Sequence, residues 1–468
     1  MIDVAVIGGG ISGLSCAYFL VRRGYDVAVL ERQVHPGGKA VSERIDGFLM
    51  EHGPSSVSPL PDDVRLLSGE VGLDSDRLGL GAEVRNRYLT TSGALARIST
   101  GPTGLLTAPY LSLGGRGRLL AEIAVPRPRE QRVESVADFF MRRFGREFAD
   151  KVIDPLAGGL FAARATELDM AAAFPRLLEM ERRSGSLTRA VVARMIAGTR
   201  MPGGRLFSWR DGIGALPRVL ARRLGDRIAS GIAVRHIVQE RLGLSIDAGR
   251  AGRFGVRSVV VATQPHVAAS LAEPLNREAA EQLHAIPAPP ISVVFLGYRR
   301  DQVAHPLDGV GYLTASGERR QVSGALFCST MFEGRAPEGH VAMLLYIGGS
   351  RAPEAASLPS ADLATLARAD VGELLGARGE PVITRIRRWE RGLPQMTLGH
   401  RSRLAVLAQA VRQVPGLFLT GNYIDGVGVA GCVACARRTA DDVAEFLCGE
   451  RRIQDPPQRV IAVQTKRV

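Results

Sequence analysis

The sequence predicts an α/β fold, and three observations lead to this prediction. Residues 2–31 read as a strand, a glycine-rich turn, an apolar helix and a second strand, which is the pattern of a βαβ unit. Apolar, strand-like runs return much later, at residues 256–263 and 417–419. The length of 468 residues corresponds to about three domains at roughly 150 residues each. We therefore expect a discontinuous sheet with further segments inserted into it.

The composition excludes several classes of protein. With 46% hydrophobic and 23% charged residues, the chain is not disordered, collagenous or a coiled coil. The formal net charge is +13, yet lysine supplies only Lys39, Lys151 and Lys466 of the 60 basic residues. Such an arginine excess is as typical of coding bias as of phosphate contacts, so we expect no nucleic acid partner. An anionic membrane surface or an acidic substrate stays open.

Five dispersed cysteines are too few for a disulfide framework and fit a reducing cytosol. Cys432 and Cys435 form one C-x-x-C pair, but no second pair accompanies them. Because the pair follows a glycine-rich loop in a helix-like stretch, we interpret it as helix packing and predict no metal site.

The beginning of the sequence bears on targeting. Ile2, Val4 and Val6 already alternate as a strand, so we expect no signal or transit peptide. No apolar run approaches the roughly 18 residues of a membrane-spanning helix. These features predict a cytoplasmic protein, either soluble or lying on the inner face of the cell membrane.

The glycine-rich turn has the spacing of a dinucleotide site. Gly8 permits the tight turn, Gly10 lets the backbone approach a pyrophosphate, and Gly13 lets the helix lie close to the sheet. Ile11 and Ser12 begin the helix, whose first amides and dipole would face the diphosphate. The sequence thus predicts a Rossmann-like unit.

An acidic residue completes this pattern. Glu31 lies 18 residues after Gly13, at the end of the second strand, where a carboxylate can accept ribose hydroxyls. A carboxylate here argues against a 2′-phosphate and hence against NADP, leaving FAD and NAD. Beyond Arg32, the pair Gly37 and Gly38 permits a second close backbone approach, which suits a longer, extended cofactor. The basic Lys39 would add positive charge near its diphosphate or flavin.

Further motifs extend over nearly the whole chain, to about residue 450. They lie at Glu51–Ser56, Asn86–Leu89, Asp154–Leu156, Phe174–Pro175, Trp209–Pro217, Arg335–His340, Gly348–Arg351, Pro394–His400 and Gly421–Val433. With these pieces the chain resembles the flavin-containing amine oxidase superfamily and, within it, the protoporphyrinogen oxidase family. The resemblance implies FAD rather than NAD. It implies an α/β fold with a discontinuous Rossmann-like FAD-binding domain, a mixed-sheet substrate domain and a helical, membrane-contacting domain.

The resemblance also implies where these domains lie. We expect 1–85, 205–270 and 397–450 to form the FAD-binding domain, 86–110 and 271–396 the substrate domain, 111–204 the helical domain and 451–468 a disordered tail. The helical segment is rich in arginine, and Leu187–Ile196 is amphipathic, which fits either a membrane surface or a solvated face.

The predicted cofactor residues follow from the fingerprint and from the resemblance. They are Gly8, Gly10, Ile11, Ser12, Gly13, Glu31, Arg32, Gly38, Lys39, Gly53, Pro54, Ser55, Val234, Thr263, Gly421, Asn422, Gly426 and Val427. No side chain is predicted to be catalytic, because flavin N5 would accept the hydride and dioxygen would reoxidise the flavin to give hydrogen peroxide. His400 is predicted to be structural.

The implied substrate is a porphyrinogen, and the resemblance indicates residues for it. Arg87 would pair with a propionate, since an unpaired buried charge is costly. Leu313, Val322 and Tyr346 match positions that sandwich the macrocycle, although such residues are as often core. Ala163-Arg164-Ala165 stands where the family has Gly-Asp-Pro, so Arg164 places a cation near the propionates.

Several functions stay open on the sequence alone. The main expectation is oxidation of protoporphyrinogen IX to protoporphyrin IX in haem biosynthesis, with coproporphyrinogen III oxidation as the alternative. A sister amine oxidase is disfavoured because residues 271–396 contain no lysine, and a desaturase is not excluded. A binding protein resembling the GDP-dissociation inhibitors is disfavoured by flavin motifs at both ends of the chain. The oligomeric state is not predicted.

Overall fold

The computed structural model describes residues 2–58, 62–98, 104, 108–128, 132–197, 206–241 and 243–454. The strands are β1 Ile2–Ile7, β2 Val27–Glu31, β3 Ser42–Ile45, β4 Phe48–Glu51, β5 Arg77–Gly79, β6 Asn86–Thr91, β7 Ala94–Arg97, β8 Phe207–Trp209, β9 Ile228–Ser230, β10 His236–Glu240, β11 Gly243–Asp247, β12 Arg253–Val261, β13 Ile291–Arg299, β14 Gly309–Leu313, β15 Val322–Phe327, β16 His340–Gly348, β17 Ile383–Trp389 and β18 Leu417–Leu419.

The α-helices alternate with these strands and also form a separate helical segment. They are α1 Ile11–Arg22, α2 Asp63–Glu70, α3 Leu113–Leu120, α4 Val136–Phe144, α5 Arg146–Phe148, α6 Asp154–Phe161, α7 Met170–Ala173, α8 Pro175–Ser184, α9 Leu187–Ile196, α10 Ala215–Leu224, α11 Pro265–Ala272, α12 Arg277–His284, α13 Cys328–Met331, α14 Ser360–Leu375, α15 His400–Arg412 and α16 Val429–Gln454.

The first sheet is assembled from distant parts of the chain. Its order is β10-β11-β12-β1-β2-β9, with β18 also paired to β12. Strands β1, β2, β9, β12 and β18 pair in parallel, whereas β10 and β11 are antiparallel additions at one edge. Apolar residues of α1, α10 and α16 cover one face, and those of α11, α12 and α15 cover the other. This is a sheet buried on both faces, as parallel sheets require.

The second sheet is mixed and has the order β17-β13-β16-β15-β14-β6-β7. Its neighbours pair antiparallel except β6 and β14, which are parallel. One face packs against α14, and the other packs against the β3–β4 hairpin through Phe48 and Met50. The second face is therefore turned toward the part of the chain that follows the glycine-rich turn.

The helical segment from α3 to α9 has its own apolar core, built on Phe139, Phe140 and Phe161. A buried ionic cluster lies beside it. The Arg143 guanidinium is fully buried, and its Nε lies 3.1 Å from carboxylates of both Glu122 and Glu181. Charges without solvent persist only when they are paired in this way.

The predicted α/β fold, with a discontinuous parallel sheet and a mixed second sheet, is confirmed. The exact domain boundaries stay a prediction. Helix α16 extends to Gln454, so residues 451–454 of the predicted tail are helical, and 455–468 lie outside the described residues. In the described part of the chain, every helix is too short or too polar to cross a membrane.

Candidate cofactor and substrate sites

The glycine-rich turn packs tightly against the sheet. Gly8 has a φ of 108°, in the region that favours glycine, and a Cβ on it would come within 3.0 Å of the Ala262 carbonyl oxygen. A Cβ on Gly13 would lie 1.9 Å from the Gly8 carbonyl oxygen. Gly10, in contrast, meets nothing closer than 3.9 Å. The turn is thus closed on the protein side and open at Gly10, where a phosphate can approach.

The start of α1 has the properties of an anion site. Gly10 precedes the helix, and no side chain caps its first amides, which include those of Ile11 and Ser12. Uncapped first-turn N–H groups and the helix dipole together stabilise a negative charge. The structure therefore leaves these donors available to a diphosphate.

Glu31 is tied to the same turn. Its Oε2 accepts a hydrogen bond of 2.5 Å from the Gly9 amide, and its Oε1 accepts one of 2.7 Å from the Gln33 amide. These two bonds fix the carboxylate at the carboxyl end of β2. Each oxygen keeps a further lone pair, which can accept a ribose hydroxyl. Arg32 beside it is exposed.

The second glycine pair contacts the first. The Gly37 amide donates to the Gly9 carbonyl at 2.8 Å, and a Cβ on Gly38 would lie 3.1 Å from Gly10 Cα. Lys39 then turns inward, where Nζ donates to the Gly392 carbonyl and lies 5.8 Å from the centre of the Trp389 ring. Burial lowers the pKa of Lys39 to about 8.

The segment at 53–55 connects the two sheets. A Cβ on Gly53 would lie 2.5 Å from the Lys39 carbonyl oxygen, so this segment runs against the second glycine pair. The Tyr346 hydroxyl, on β16, donates to the Gly53 carbonyl at 3.2 Å. Pro54 is half-buried and Ser55 is buried. These residues therefore lie between the glycine-rich turn and the second sheet.

The C-terminal segment also lies at the carboxyl ends of the parallel strands of the first sheet. Thr420 follows β18, and its amide donates to the Val261 carbonyl at 3.1 Å. Gly421 and Asn422 come next, and Gly426 has a φ of 127° shortly before α16 begins. Val427 packs against the core of the helical segment.

The remaining cofactor candidates belong to the same region. Thr263 follows β12, and its Cγ2 would lie 3.4 Å from a Cβ on Gly8. Val234 lies in the loop after β9, and the Ile232 amide in that loop donates to the Glu31 carbonyl at 2.8 Å. His400 supports the C-terminal segment through a contact of 2.8 Å between Nε2 and the Tyr423 carbonyl. Burial lowers the pKa of this imidazole.

The structure thus places most of the predicted cofactor residues at one sheet edge, because the carboxyl ends of parallel strands meet there. Gly10 and Gly428 leave space beside the N-termini of α1 and α16, respectively. Two helix starts, a fixed carboxylate and a lysine fit an extended dinucleotide with a negative diphosphate. The residues therefore fit FAD on geometric grounds.

The substrate candidates lie on the face of the second sheet that is turned toward this edge. Leu313 pairs with Gly324, and Gly324 pairs with Tyr346, so Leu313 and Tyr346 share one face. Leu89 pairs with Leu313 and shares that face as well. Leu313 packs directly on α6, because a Cβ on Gly159 would lie 2.4 Å from its Cδ2. Leu89 is only 1% exposed, so we call Leu313 and Tyr346 alone the apolar strip.

Arg87 lies on β6, the strand that pairs with β14, and two residues before Leu89. The side chains of Asn86 and Tyr88 both bind Asp308, so the alternation of β6 places Arg87 on the other face, with Leu89. Its side chain is exposed. The structure thus leaves this cation accessible to solvent rather than in a closed cavity.

Val322 does not join the apolar strip. It pairs with Ile347 and belongs to the core under α14, with only 2% of its surface exposed. A register shift between Val322 and Gly324 separates it from the face of Tyr346. The prediction that Val322 lies beside the macrocycle is therefore withdrawn. Its burial fits the alternative, a residue of the hydrophobic core.

The comparisons identify the family. The model of the flavin-containing amine oxidoreductase family matches residues 11–444, which is nearly the whole chain. The chain belongs to this family. It is therefore a flavoprotein oxidoreductase, and its cofactor is FAD, as the resemblance implied.

Curated relatives of this flavoenzyme cover almost its full length. A chloroplastic protoporphyrinogen oxidase of Oryza sativa subsp. japonica is 30% identical over 95% of this chain and 88% of its own. A coproporphyrinogen III oxidase of Propionibacterium freudenreichii subsp. freudenreichii is 30% identical over 94% of this chain and 90% of its own.

Solved structures show the same fold. A chain from Exiguobacterium sp. 255-15, provisionally assigned as a protoporphyrinogen oxidase, superposes with a TM-score of 0.83 at 21% identity, covering 94% of this chain and 98% of that one. A putrescine oxidase bound to putrescine gives a TM-score of 0.70 at 20% identity over 95% and 99% of the two chains.

Sequence reasoning missed a buried polar group behind the 53–55 segment. The Glu51 carboxylate accepts hydrogen bonds from Ser42 Oγ at 2.5 Å and from the Ile213 amide at 2.9 Å, and the Arg335 guanidinium lies 3.9 Å away. Burial raises the pKa of Glu51 to about 7. Glu51 and Arg335 both lie in motifs that carry the family resemblance. Neither motif indicates that these two residues, 284 positions apart, come together.

Proposed function

We propose that this flavoenzyme oxidises a porphyrinogen to the corresponding porphyrin with dioxygen as the oxidant. The observation that carries the proposal is the apolar strip, whose Tyr346 bonds to Gly53, together with the exposed Arg87 on the same face of the second sheet. An apolar face with a cation at its rim suits a macrocycle with acidic side arms. The names of the curated relatives support the same substrate class.

The protein's contribution is to bind and orient the macrocycle. When bound, FAD supplies the hydride acceptor for repeated two-electron oxidations of bridging carbons. The apolar strip excludes water from one face of the substrate, and Arg87 pairs with a propionate so that the ring is held in one register. Each step also releases a pyrrole N–H proton, which passes to solvent or to a neighbouring pyrrole.

Protoporphyrinogen IX is the first candidate substrate, and coproporphyrinogen III is the second. The second candidate is favoured by Arg164, which adds a cation beyond the apolar strip and would suit additional carboxylates. Relatives that carry the name coproporphyrinogen III oxidase also occur in Bacillus subtilis, at 24% identity over 95% of this chain.

We also propose that the helical segment rests on an anionic membrane surface, with the protein in the cytoplasm. Large apolar side chains are exposed on α3 and at the end of α9, where Leu113 is 82% and Ile196 is 83% exposed. Both helices pack on the short turn at residues 121–124, whose Ile123 is also exposed. Arg116 and Arg194 lie on these same helices. Apolar and basic residues together favour an interfacial position.

The function is tested with the purified protein and both porphyrinogens. Visible flavin bands are expected, followed by porphyrin fluorescence and hydrogen peroxide formation. Arg87→Ala should raise KM about tenfold with little change in kcat, because a charge-assisted hydrogen bond contributes about 1.5–3 kcal/mol. Arg277→Ala, exposed on α12, is the control. Bound flavin without porphyrin formation from either substrate would remove the proposal.

A further inference from the structure

One short segment after β16 holds both ends of α6. The Ser350 amide donates to the Ala162 carbonyl at 2.8 Å, and a Cβ on Gly349 would lie 2.4 Å from the same oxygen. Ala162 is the residue that follows the helix, and its φ is 52°. The side chain of the next residue in the segment, Arg351, reaches Asp154, the first residue of the helix. Residues 349–351 therefore fix α6 at its end and at its beginning.

The Arg351 guanidinium connects α6 to β14. Its Nη2 donates to Asp154 Oδ2 at 2.6 Å and to the Asp154 carbonyl at 2.5 Å, and its Nη1 donates to the Thr314 carbonyl at 3.0 Å. Thr314 directly follows Leu313, the last residue of β14. Because the guanidinium is a rigid planar fork, its two arms hold these partners at a set distance. The start of α6 is thereby fixed relative to the end of β14.

Two consecutive glycines allow this close approach. A Cβ on Gly158 would lie 3.0 Å from Arg351 Cζ, and a Cβ on Gly159 would lie 2.4 Å from Leu313 Cδ2. Arg351 and Leu313 therefore pack against neighbouring positions of the same helix. Gly159 is exposed and Leu313 is only half-buried, so the second of these contacts borders open space. The position of Leu313, and with it the surface of the apolar strip, depends on where α6 lies.

The charge of Arg351 is balanced inside the protein. The side chains of Arg351 and Asp154 are only 15% and 16% exposed. Asp154 also accepts a hydrogen bond from the Ala165 amide at 2.6 Å through Oδ1 and one from Ser316 through Oδ2. A largely buried ion pair that is bonded in this way holds its neighbours in place and leaves no net charge for an external anion. These contacts favour a positioning role for Arg351 over a binding role.

We propose that Arg351 is a positioning residue for the porphyrinogen, because it holds α6 at the distance from β14 that keeps Leu313 in place. The inference rests on the proposed function. In it, Leu313 contacts the ring of the macrocycle rather than its side arms, and this contact is the same before and during hydride transfer. Interactions of that kind lower KM and leave kcat unchanged. Loss of Arg351 should therefore weaken the binding of porphyrinogens irrespective of their number of carboxylates.

The test compares Arg351→Met with Arg320→Met in the full-length, FAD-loaded protein. Arg320 is a matched control, because its side chain is 11% exposed and bonds to Asp370 at 2.9 Å and to Glu373 at 2.5 Å. Both carboxylates lie on α14, which covers the opposite face of the second sheet. Each substitution removes the cation of a largely buried ion pair, so both should lower the melting temperature.

Only Arg351→Met is expected to change the kinetics. Its KM should rise about tenfold for both protoporphyrinogen IX and coproporphyrinogen III, while kcat and the visible flavin bands stay close to those of the wild type. Arg320→Met should keep the KM of the wild type. Should Arg351→Met not fold, Arg351→Lys replaces it: the ammonium keeps the charge beside Asp154 but lacks the second arm of the fork, so KM should rise about threefold.

A second substitution moves Leu313 without touching the ion pair. Gly159→Ala suits a helix, but its Cβ would displace Leu313, so KM should again rise for both porphyrinogens. Gly117→Ala on α3, where a Cβ meets nothing within 4 Å, is the control and should leave KM unchanged.

Three results would overturn the inference while porphyrinogen oxidation by the wild type stands. The first is an equal KM in Arg351→Met and Arg320→Met, which would show an effect on stability alone. The second is a rise in KM for only one of the two porphyrinogens, which would show that Arg351 acts on the side arms. The third is an unchanged KM in Gly159→Ala. Failure of the proposed function is a different result, since the wild type would then form no porphyrin.

Discussion

At the scale of single residues, the absence of a side chain at Gly13 lets α1 pack close to the end of β1. The space between this residue and Gly8 is too small for any side chain, because a Cβ would meet the Gly8 carbonyl oxygen at 1.9 Å. A substitution must therefore move the helix start, which carries the amides that are predicted to face the diphosphate.

Gly13→Ala should weaken FAD binding about tenfold or more, since overpacking costs about 1–3 kcal/mol. Gly255→Ala on β12 is the control, because a Cβ there meets nothing within 4 Å. Flavin fluorescence titration of the apoprotein and a thermal melt measure the effect. Equal FAD affinities in the two variants would contradict this view of the turn.

The residue scale also shows what the sequence could predict. The spacing of the glycines predicted the tight turn at Gly8 and the close packing at Gly13, because both follow from local backbone geometry. The partner of Lys39 was not predictable, since its carbonyl partner, Gly392, is 353 positions away. The burial of Val322 was hidden as well, because a local register shift decides which face of β15 it occupies.

At the scale of elements, the helical segment depends on its buried ionic cluster. Arg143 Nη1 donates to the Val125 carbonyl at 2.7 Å, in addition to its pairs with Glu122 and Glu181. Glu122 in turn accepts the amides of Leu187 and Thr188 at the start of α9. One guanidinium thereby links α4 to α8 and, through Glu122, to α9.

Arg143→Ala should lower the free energy of unfolding of this segment by about 3–5 kcal/mol, because two carboxylates would lose their buried cation. Arg146→Ala, whose side chain is 82% exposed, is the control and should change stability by less than about 0.5 kcal/mol. Urea unfolding and limited proteolysis measure both. A loss below about 1 kcal/mol for Arg143→Ala would show that the cluster is dispensable.

Element boundaries were less predictable than the elements themselves. The run at residues 325–329 reads as a strand, but β15 spans Val322–Phe327 and the chain turns into α13 at Cys328. The amphipathic pattern predicted the helix at Leu187–Ile196. It did not distinguish Arg143 from the surrounding surface arginines, because burial of a charge depends on carboxylates brought in from other helices.

At the scale of the whole molecule, exposed apolar residues concentrate on the helical segment. The patch formed by Leu113, Leu120, Ile123, Met195 and Ile196 lies on helices that also carry arginines. Singly exposed apolar residues are ordinary, whereas a cluster of them marks an interaction surface.

The double variant Leu113→Glu/Ile196→Glu should reduce sedimentation with anionic vesicles about tenfold or more, because it removes apolar contacts and adds like charge. Val382→Glu is the control, since Val382 is 48% exposed outside the helical segment. Vesicles of neutral lipid should bind the wild type more weakly. Equal sedimentation of the double variant and the control would exclude this patch as the docking surface.

The order of the strands has a consequence for synthesis of the protein. The glycine-rich turn is synthesised long before β18 and the start of α16, which lie at the same sheet edge but within residues 417–454. A nascent chain that lacks them has only part of the predicted cofactor site. We therefore expect FAD to bind only after these residues have been translated, and chains that end before β18 are expected to be colourless.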